Sequence, residues 1–136
     1  MLTANIEMAG LESGLMIPQY TAASLVLENK ILASPDSIHS LPTSANQEDH
    51  NANSLNAARH TYQIIQNVYH ILAIELYIAC HAINIRFKQD PNMKLGFGVN
   101  KIFKKIREHV SFSQHDMQWS KEINILLENI DSIALN

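Results

Sequence analysis

The sequence predicts an all-α chain: one long central helix with flanking antiparallel helices. Three observations carry that expectation. From Ser54 to Arg86 there is neither Gly nor Pro. Within that run, apolar residues recur at helical spacing on two adjacent stripes. Shorter amphipathic stretches lie on either side, set off by Pro- and Gly-bearing breaks.

Each element follows in order. Residues 1–12 have mixed character and one Gly, which suits a short helix or a frayed end. Pro18 to Ala33 reads as a helix. Pro18 is tolerated in a first turn, where its missing N–H has no partner to lose. Tyr20, Ala23, Leu27 and Ile31 then recur at helical spacing. Ser34-Pro35-Asp36-Ser37 ends it, and residues 34–46 form a connector with prolines at 35 and 42.

The long helix has two possible starts. Ser44 with Gln47 fits a capping box, while Asn53 and Ser54 offer a later cap. Ile64, Val68, Ile71, Glu75, Ile78, Ala82 and Ile85 define one stripe. Tyr62, Ile65, Tyr69, Leu72, Leu76, Ala79 and Ile83 define a second beside it. The two together are wider than the stripe of a surface helix, which predicts burial on several sides. Residues 54–86 span about 50 Å at about 1.5 Å per residue. A compact chain of this length has a radius of gyration of about 14 Å. Such a rod calls for oligomerisation or for docking onto a partner.

Gln89-Asp90-Pro91-Asn92 ends the rod, and Gly96 and Gly98 mark a bend. Val99 to Val110 forms a shorter helix with Val99, Ile102, Phe103, Ile106 and Val110 on one face. Ser120 caps a last helix carrying Ile123, Leu126, Leu127 and Ile130. No internal repeat or low-complexity tract interrupts this pattern.

Composition narrows the function classes. The 136 residues fit a single helical unit, 1–136, and 46% are apolar, which predicts a folded chain rather than one disordered throughout. A net charge of −3 with a pI near 6.1 predicts no general affinity for nucleic acid or anionic membrane. The single cysteine, Cys80, rules out an internal disulfide and fits a reducing, cytoplasmic setting. It sits in the apolar run Ile78-Ala79-Cys80, where it reads as a small buried hydrophobe. The N-terminus has no basic region followed by an apolar core, so no signal peptide is expected. No run of consecutive apolar residues approaches a membrane span.

Two clusters invite stronger readings. His60, His70 and His81 lie on the long helix, but spacings of ten and eleven do not give the close pair of a His-x-x-x-His metal site, so no metal is expected. Seven of the ten basic residues fall in 86–107: Arg86, Lys88, Lys94, Lys101, Lys104, Lys105 and Arg107. Of the aromatics among them, Phe97 and Phe103 read as bend and core positions, so this is a solvated helix face.

The stretch most able to do chemistry is Pro42-Thr43-Ser44-Ala45-Asn46-Gln47-Glu48-Asp49-His50. After Pro42 it holds little turn chemistry, yet it carries amides, two carboxylates and an imidazole. Such groups bind polar substrates or move protons.

Ser44-Ala45-Asn46-Gln47-Glu48-Asp49-His50 resembles the signature near the C-terminal end of histidine ammonia-lyase, a member of the aromatic amino-acid lyases. Ser13-Gly14-Leu15-Met16-Ile17 is similar to the family's Ser-Gly-Phe-Met-Ile segment. Glu28-Asn29-Lys30, Ala57-Ala58-Arg59, Leu72-Ala73-Ile74-Glu75-Leu76, Leu95-Gly96 and Ile106-Arg107-Glu108-His109-Val110 also fit. The likeness runs over roughly residues 11–133.

The resemblance implies a piece of the lyase helical bundle, its long helix one of the central rods of a tetramer. It implies elimination of ammonia from L-histidine to give urocanate. Glu48 is then the catalytic candidate at the substrate pocket, where a carboxylate facing an imidazole favours the cationic ring. A helix N-terminal glutamate held by the macrodipole is its other reading. Gln47 and Met16 would line the pocket, and Gln47 is equally able to close a capping box with Ser44. Asn46 and Asp49 would order the loop backbone, and His50 would support Glu48 rather than act as a base. Met16 stands where phenylalanine-specific relatives carry lysine and histidine-type enzymes carry methionine. As a residue it also suits a gap-filling core position.

Departures lie next to the pocket. Leu15 replaces a phenylalanine, and Asn51-Ala52-Asn53 replaces Val-Ser-Met. The family makes a methylidene-imidazolone electrophile from Ala-Ser-Gly, and these 136 residues contain no such tripeptide. The resemblance therefore implies only the C-terminal portion of the enzyme, opening on its own Met1. It has no cofactor of its own and is inactive alone. Its expected partners are further copies or the missing N-terminal part, with L-histidine bound only in a complete site. A non-catalytic oligomerisation or regulatory module derived from the lyase is the alternative.

Overall fold

The computed structural model describes residues 10–51, 53–113 and 115–135. The expectation for residues 1–9 falls outside these, and residues 10–12 form a turn region rather than a helix. Four helices dominate: α1 (Met16–Leu32), α2 (Ser54–Gln89), α3 (Phe97–His109) and α4 (Trp119–Leu135). Between α1 and α2 lie a single 3-10 turn, Asp36–His39, and a hairpin of two short strands, β1 (Pro42–Thr43) and β2 (Glu48–Asp49). The described residues are all-α apart from that hairpin. Its internal packing forms two units, residues 1–22 with 69–136 and residues 23–68.

In the larger unit, α3 runs back along the second half of α2. Phe87 meets Phe103 edge-on at 5.9 Å between ring centres. The core joins Leu15, Ala73, Ile74, Tyr77 and Cys80 to Ile106, Val110, Ile123, Leu126, Ile130 and Ile133. Tyr77, Ile106 and Leu126 are completely enclosed, and truncating such a residue to alanine costs about 2–5 kcal/mol. Glu122, in the first turn of α4, accepts from both the amide and the hydroxyl of Ser111 at 2.9 and 3.2 Å, fixing the entry of that helix. The expected apolar positions of α4 hold: Ile123, Leu126 and Ile130 are buried and Leu127 is half-buried.

In the smaller unit, the end of α1 lies antiparallel to the start of α2. Glu28 and Asn29 meet Asn67, and further along Asp36 meets Asn53 and His60. Apolar contact is sparse here, and polar pairing takes its place.

Several boundaries and faces differ from the sequence expectation. No helix starts at Ser44: the Gln47 amide donates to the Ser44 carbonyl at 3.1 Å, closing a turn rather than a capping box. The later start holds, because Ala57 N–H donates to the Asn53 carbonyl at 3.0 Å. Gly98 lies inside α3 rather than at a bend, with Gly96 as the residue before the helix. Ser120 lies inside α4, which begins at Trp119.

The largest correction concerns faces. The buried seam of α2 runs through Asn67, Ala73, Ile74, Tyr77, Cys80 and His81, none of which belongs to either expected stripe. Tyr62, Ile65, Val68, Tyr69 and Leu72 from those stripes are exposed, as are Tyr20, Leu27 and Ile31 of α1. A helix apolar on nearly all sides has no polar face by which periodicity can select the packed one. Averaging also changes the membrane reading. α2 is long and apolar enough to cross a membrane by length and composition, with a mean hydropathy of 1.5 over its most apolar 18 residues. Polar residues such as His70, Glu75 and His81 break the consecutive run and lower the mean, yet the Ile, Leu, Val and Ala around them keep it at 1.5.

Candidate functional site

The polar segment after Pro42 is a tight hairpin. Pro42 pairs with Asp49 and Thr43 with Glu48 in an antiparallel ladder of two residues per strand. The Thr43 hydroxyl donates to the Glu48 carbonyl at 3.3 Å. His50 N–H donates to Leu41 O at 2.8 Å, and the Ser40 hydroxyl to His50 O at 3.2 Å. The turn itself is made by Ser44, Ala45 and Asn46, with φ of 51°, 54° and 65°. This overturns the expectation of little turn chemistry there. Ser44 and Asn46 are turn-forming types, and Ala45 between them is carried into the left-handed region as well.

Three such residues in a row are uncommon. Each L-residue with a Cβ gives up roughly 1–2 kcal/mol in this conformation, Asn the least because its side chain tolerates it. Strained backbone of this kind persists where its surroundings fix it, and it gathers at binding and catalytic loops. Every residue from Ser40 to Asn51 is exposed. Two short strands are little support for that strain, so the loop presents its side chains outward in a shape that packing within this chain does not impose.

The predicted residues fall as follows. Gln47 ends the turn and Glu48 opens β2, so the two are consecutive on the hairpin. Asn46, Asp49 and His50 are exposed on the same hairpin. Among the described residues, none of these five side chains has a hydrogen-bond or ion-pair partner. Asn46 takes a φ of 65°, and His50 bonds through its amide and carbonyl; among the described residues no contact joins the His50 ring to Glu48. Met16 lies in the other unit, half-buried at the first position of α1.

Sequence reasoning missed the group that holds the Met16 segment. Asp116 accepts Ser13 N–H through Oδ2 and Gly14 N–H through Oδ1, both at 2.8 Å. Next to it, His115 Nδ1 lies 2.9 Å from Glu12 Oε1. The local sequence offered little: Ser111, Ser113 and Asp116 are cap-type residues set among Phe112, Gln114 and His115, and nothing in them named Ser13 or Gly14 as partners. Also missed was a ring of aromatics around His81. Tyr77, Phe112 and Trp119 lie 4.6, 5.1 and 5.7 Å from it. Burial, then the charge of Arg107, lowers the His81 pKa to about 4 against the opposing pull of Glu122. His81 Nε2 and one terminal nitrogen of Arg107 are buried without hydrogen-bond partners among the described residues. Of the expected basic face, Arg86, Lys88, Lys94, Lys101 and Lys104 are exposed, while Lys105 and Arg107 are half-buried. Lys88 stands 4.9 Å over the Phe112 ring.

An all-helical chain that carries an exposed, strained polar hairpin has the build of a binding or catalytic segment of a helical protein. Comparison with known proteins makes this specific. The aromatic amino acid lyase family model matches residues 1–108. The histidine ammonia-lyase of Halalkalibacterium halodurans is 50% identical over 114 residues, which cover 84% of this chain and 22% of that enzyme. The histidine ammonia-lyase of Clostridium tetani is 46% identical over 123 residues, covering 89% and 24%. The crystal structure of histidine ammonia-lyase from Trypanosoma cruzi matches with a TM-score of 0.79 at 32% identity, over 91% of this chain and 24% of that one. The chain belongs to the aromatic amino acid lyase family. It spans about a quarter of the length of the relatives it matches.

Proposed function

We propose that this chain supplies the C-terminal portion of a histidine ammonia-lyase: a helical unit that contributes pocket walls to the elimination of ammonia from L-histidine. The observation that carries the reading is the hairpin. Ser44, Ala45 and Asn46 take strained left-handed backbone, and the turn they make exposes Gln47 and Glu48 with no partner of their own among the described residues. In a completed pocket, desolvated Glu48 would pair with the substrate imidazole and favour its cationic form. Gln47 would offer both a donor and an acceptor beside it, and Met16 would wall the ring. The methylidene-imidazolone supplies the electrophile in this family. Its Ala-Ser-Gly precursor is not in the sequence, so the electrophile and the principal base belong to another polypeptide or segment. The setting is cytoplasmic, and no nucleic acid or membrane partner is invoked.

Complementation tests this. The pure chain should give no urocanate from L-histidine, and mixing it with a polypeptide carrying Ala-Ser-Gly and the rest of the pocket should restore turnover. Urocanate from the chain alone would sink the reading, as would failure to restore activity despite demonstrated association.

A second reading rests on the exposed apolar residues of α1 and α2, Tyr20, Leu27, Ile31, Tyr62 and Ile65 among them. Under it the chain is a helical oligomerisation or regulatory module derived from the lyase. Binding to, or inhibition of, an intact lyase without any rescue of a truncated one is its mark.

A further inference from the structure

We infer that Asp116 is a positioning residue for the pocket wall at Met16; the pocket role of Met16 rests on the function proposed above. The argument begins at the start of α1. The chain enters that helix through Ser13 and Gly14, with Gly14 at a φ of +57°. That turn leaves two amides facing outward from the helix start, and α1 has no acidic residue in its first turn to satisfy or balance them. Asp116 does both from more than a hundred residues away. Its two oxygens each accept one amide at 2.8 Å, a charge-assisted fork that fixes the turn in position and in direction.

The carboxylate also places a negative charge at the positive end of the α1 dipole. Two anchors back it: Leu15 is buried in the core, and the contact between His115 and Glu12 joins the same two strands of chain. Met16 is the next residue along and donates its amide to Ser13 O at 3.3 Å. Its Cα is therefore set by a turn that Asp116 holds. A wall residue displaced by even an ångström loses much of its contribution to substrate orientation.

The test uses the full chain with Asp116→Ala, Asp116→Asn and Asp116→Glu. In Asp116→Ala, hydrogen exchange at the Ser13 and Gly14 amides should quicken at least tenfold. The Met16 methyl resonance should move toward its unfolded position while those of Ile106 and Leu126 stay. Asp116→Glu should recover both. Should Asp116→Ala fail to fold, Asp116→Asn, which keeps the size and one acceptor, is read in its place. In the complemented lyase, the same substitution should raise KM for L-histidine about tenfold with kcat changed less than about threefold. Unchanged amide exchange, an unmoved Met16 methyl, or a fall confined to kcat overturns the proposal. If the wild-type pair gives no turnover at all, the function proposed above fails instead, and the exchange and methyl readings alone decide the role of Asp116.

Discussion

Asn67 Nδ2 donates to Glu28 Oε2 at 3.0 Å, and this bond ties α2 to α1 within the unit of residues 23–68. Asn67 is only 3% exposed. It also donates to Asn29 Oδ1 at 2.9 Å and accepts from Gln63 Nε2 at 3.0 Å. Three partners around one buried amide make a satisfied polar network where an apolar core is thin. Asn67→Ala should cost about 1–2 kcal/mol, since half-buried Asn29 loses its partner while exposed Glu28 and Gln63 can turn to water. Asn67→Asp should cost more near neutral pH, because it sets a carboxylate against Glu28, and part of that loss should return as the pair is protonated. Urea unfolding followed by circular dichroism reads both. A change under about 0.5 kcal/mol for Asn67→Ala would mean the network is replaceable by water.

His81 sets the acid limit of the larger unit. Its pKa is lowered to about 4 in the folded chain, against an ordinary value near 6.5. The unfolded chain therefore takes up a proton first. Stability is fully present above pH ~6.5 and falls as pH drops toward ~4, by up to about 1.4 kcal/mol per unit. Replacing His81 with Phe, which suits its aromatic neighbours, should flatten that part of the stability curve. An unchanged slope between pH ~6.5 and ~4 in His81→Phe would assign the acid sensitivity elsewhere.

Cys80 should behave as a core residue toward thiol reagents. It is buried, and burial raises its pKa to about 11, with Arg107 opposing. Compared with a thiol near 9, about a hundredfold less thiolate is present at mildly alkaline pH. A disulfide reagent should label the native chain at least a hundredfold more slowly than the urea-unfolded one. Equal rates would show that α2 and α3 separate readily.

Helix existence was legible because Gly- and Pro-free apolar runs have few other solutions. The long helix ends at Gln89, where Asp90-Pro91 required it, and α4 buries Ile123, Leu126 and Ile130 at the expected spacing. Which face of α2 packs was not legible. Stripes through Tyr62 and Ile65 are as apolar as the seam through Tyr77, and only the third dimension ranks them. The hairpin was missed for a different reason. Turn chemistry is read from residues that adopt positive φ cheaply, and Ser44 and Ala45 adopt it at a cost. That the segment carried a site was legible from its polar groups and from its likeness to a lyase signature. The hold of Asp116 on Ser13 and Gly14 was not, because a contact across a hundred residues leaves no local pattern.

The strain in the hairpin has its own test. Glycine at position 45 removes the Cβ clash, worth about 1–2 kcal/mol, while its extra freedom in the unfolded chain returns about 0.5–1 kcal/mol. Ala45→Gly should therefore firm the hairpin slightly. Hydrogen exchange at the His50 amide, which donates to Leu41 O at 2.8 Å, should slow by a few-fold. Faster exchange would mean that the side chain of Ala45 supports the loop rather than straining it.

The exposed apolar residues of α2 predict association. Tyr62 is 66% exposed and Ile65 is 46% exposed, one helical turn apart, and Val68, Tyr69 and Leu72 continue the same region. Soluble monomers rarely leave a contiguous apolar surface of this kind in water, and copies of one chain offer one another the same patch. Sedimentation should show species heavier than 15.3 kDa that grow with concentration. Replacing Tyr62 with Glu and Ile65 with Lys should shift the population toward the single chain without loss of helical signal, because neither residue belongs to the core. A lone species of monomer mass at every soluble concentration of the wild-type chain would leave these faces solvated. It would also remove the support they give to the oligomerisation reading.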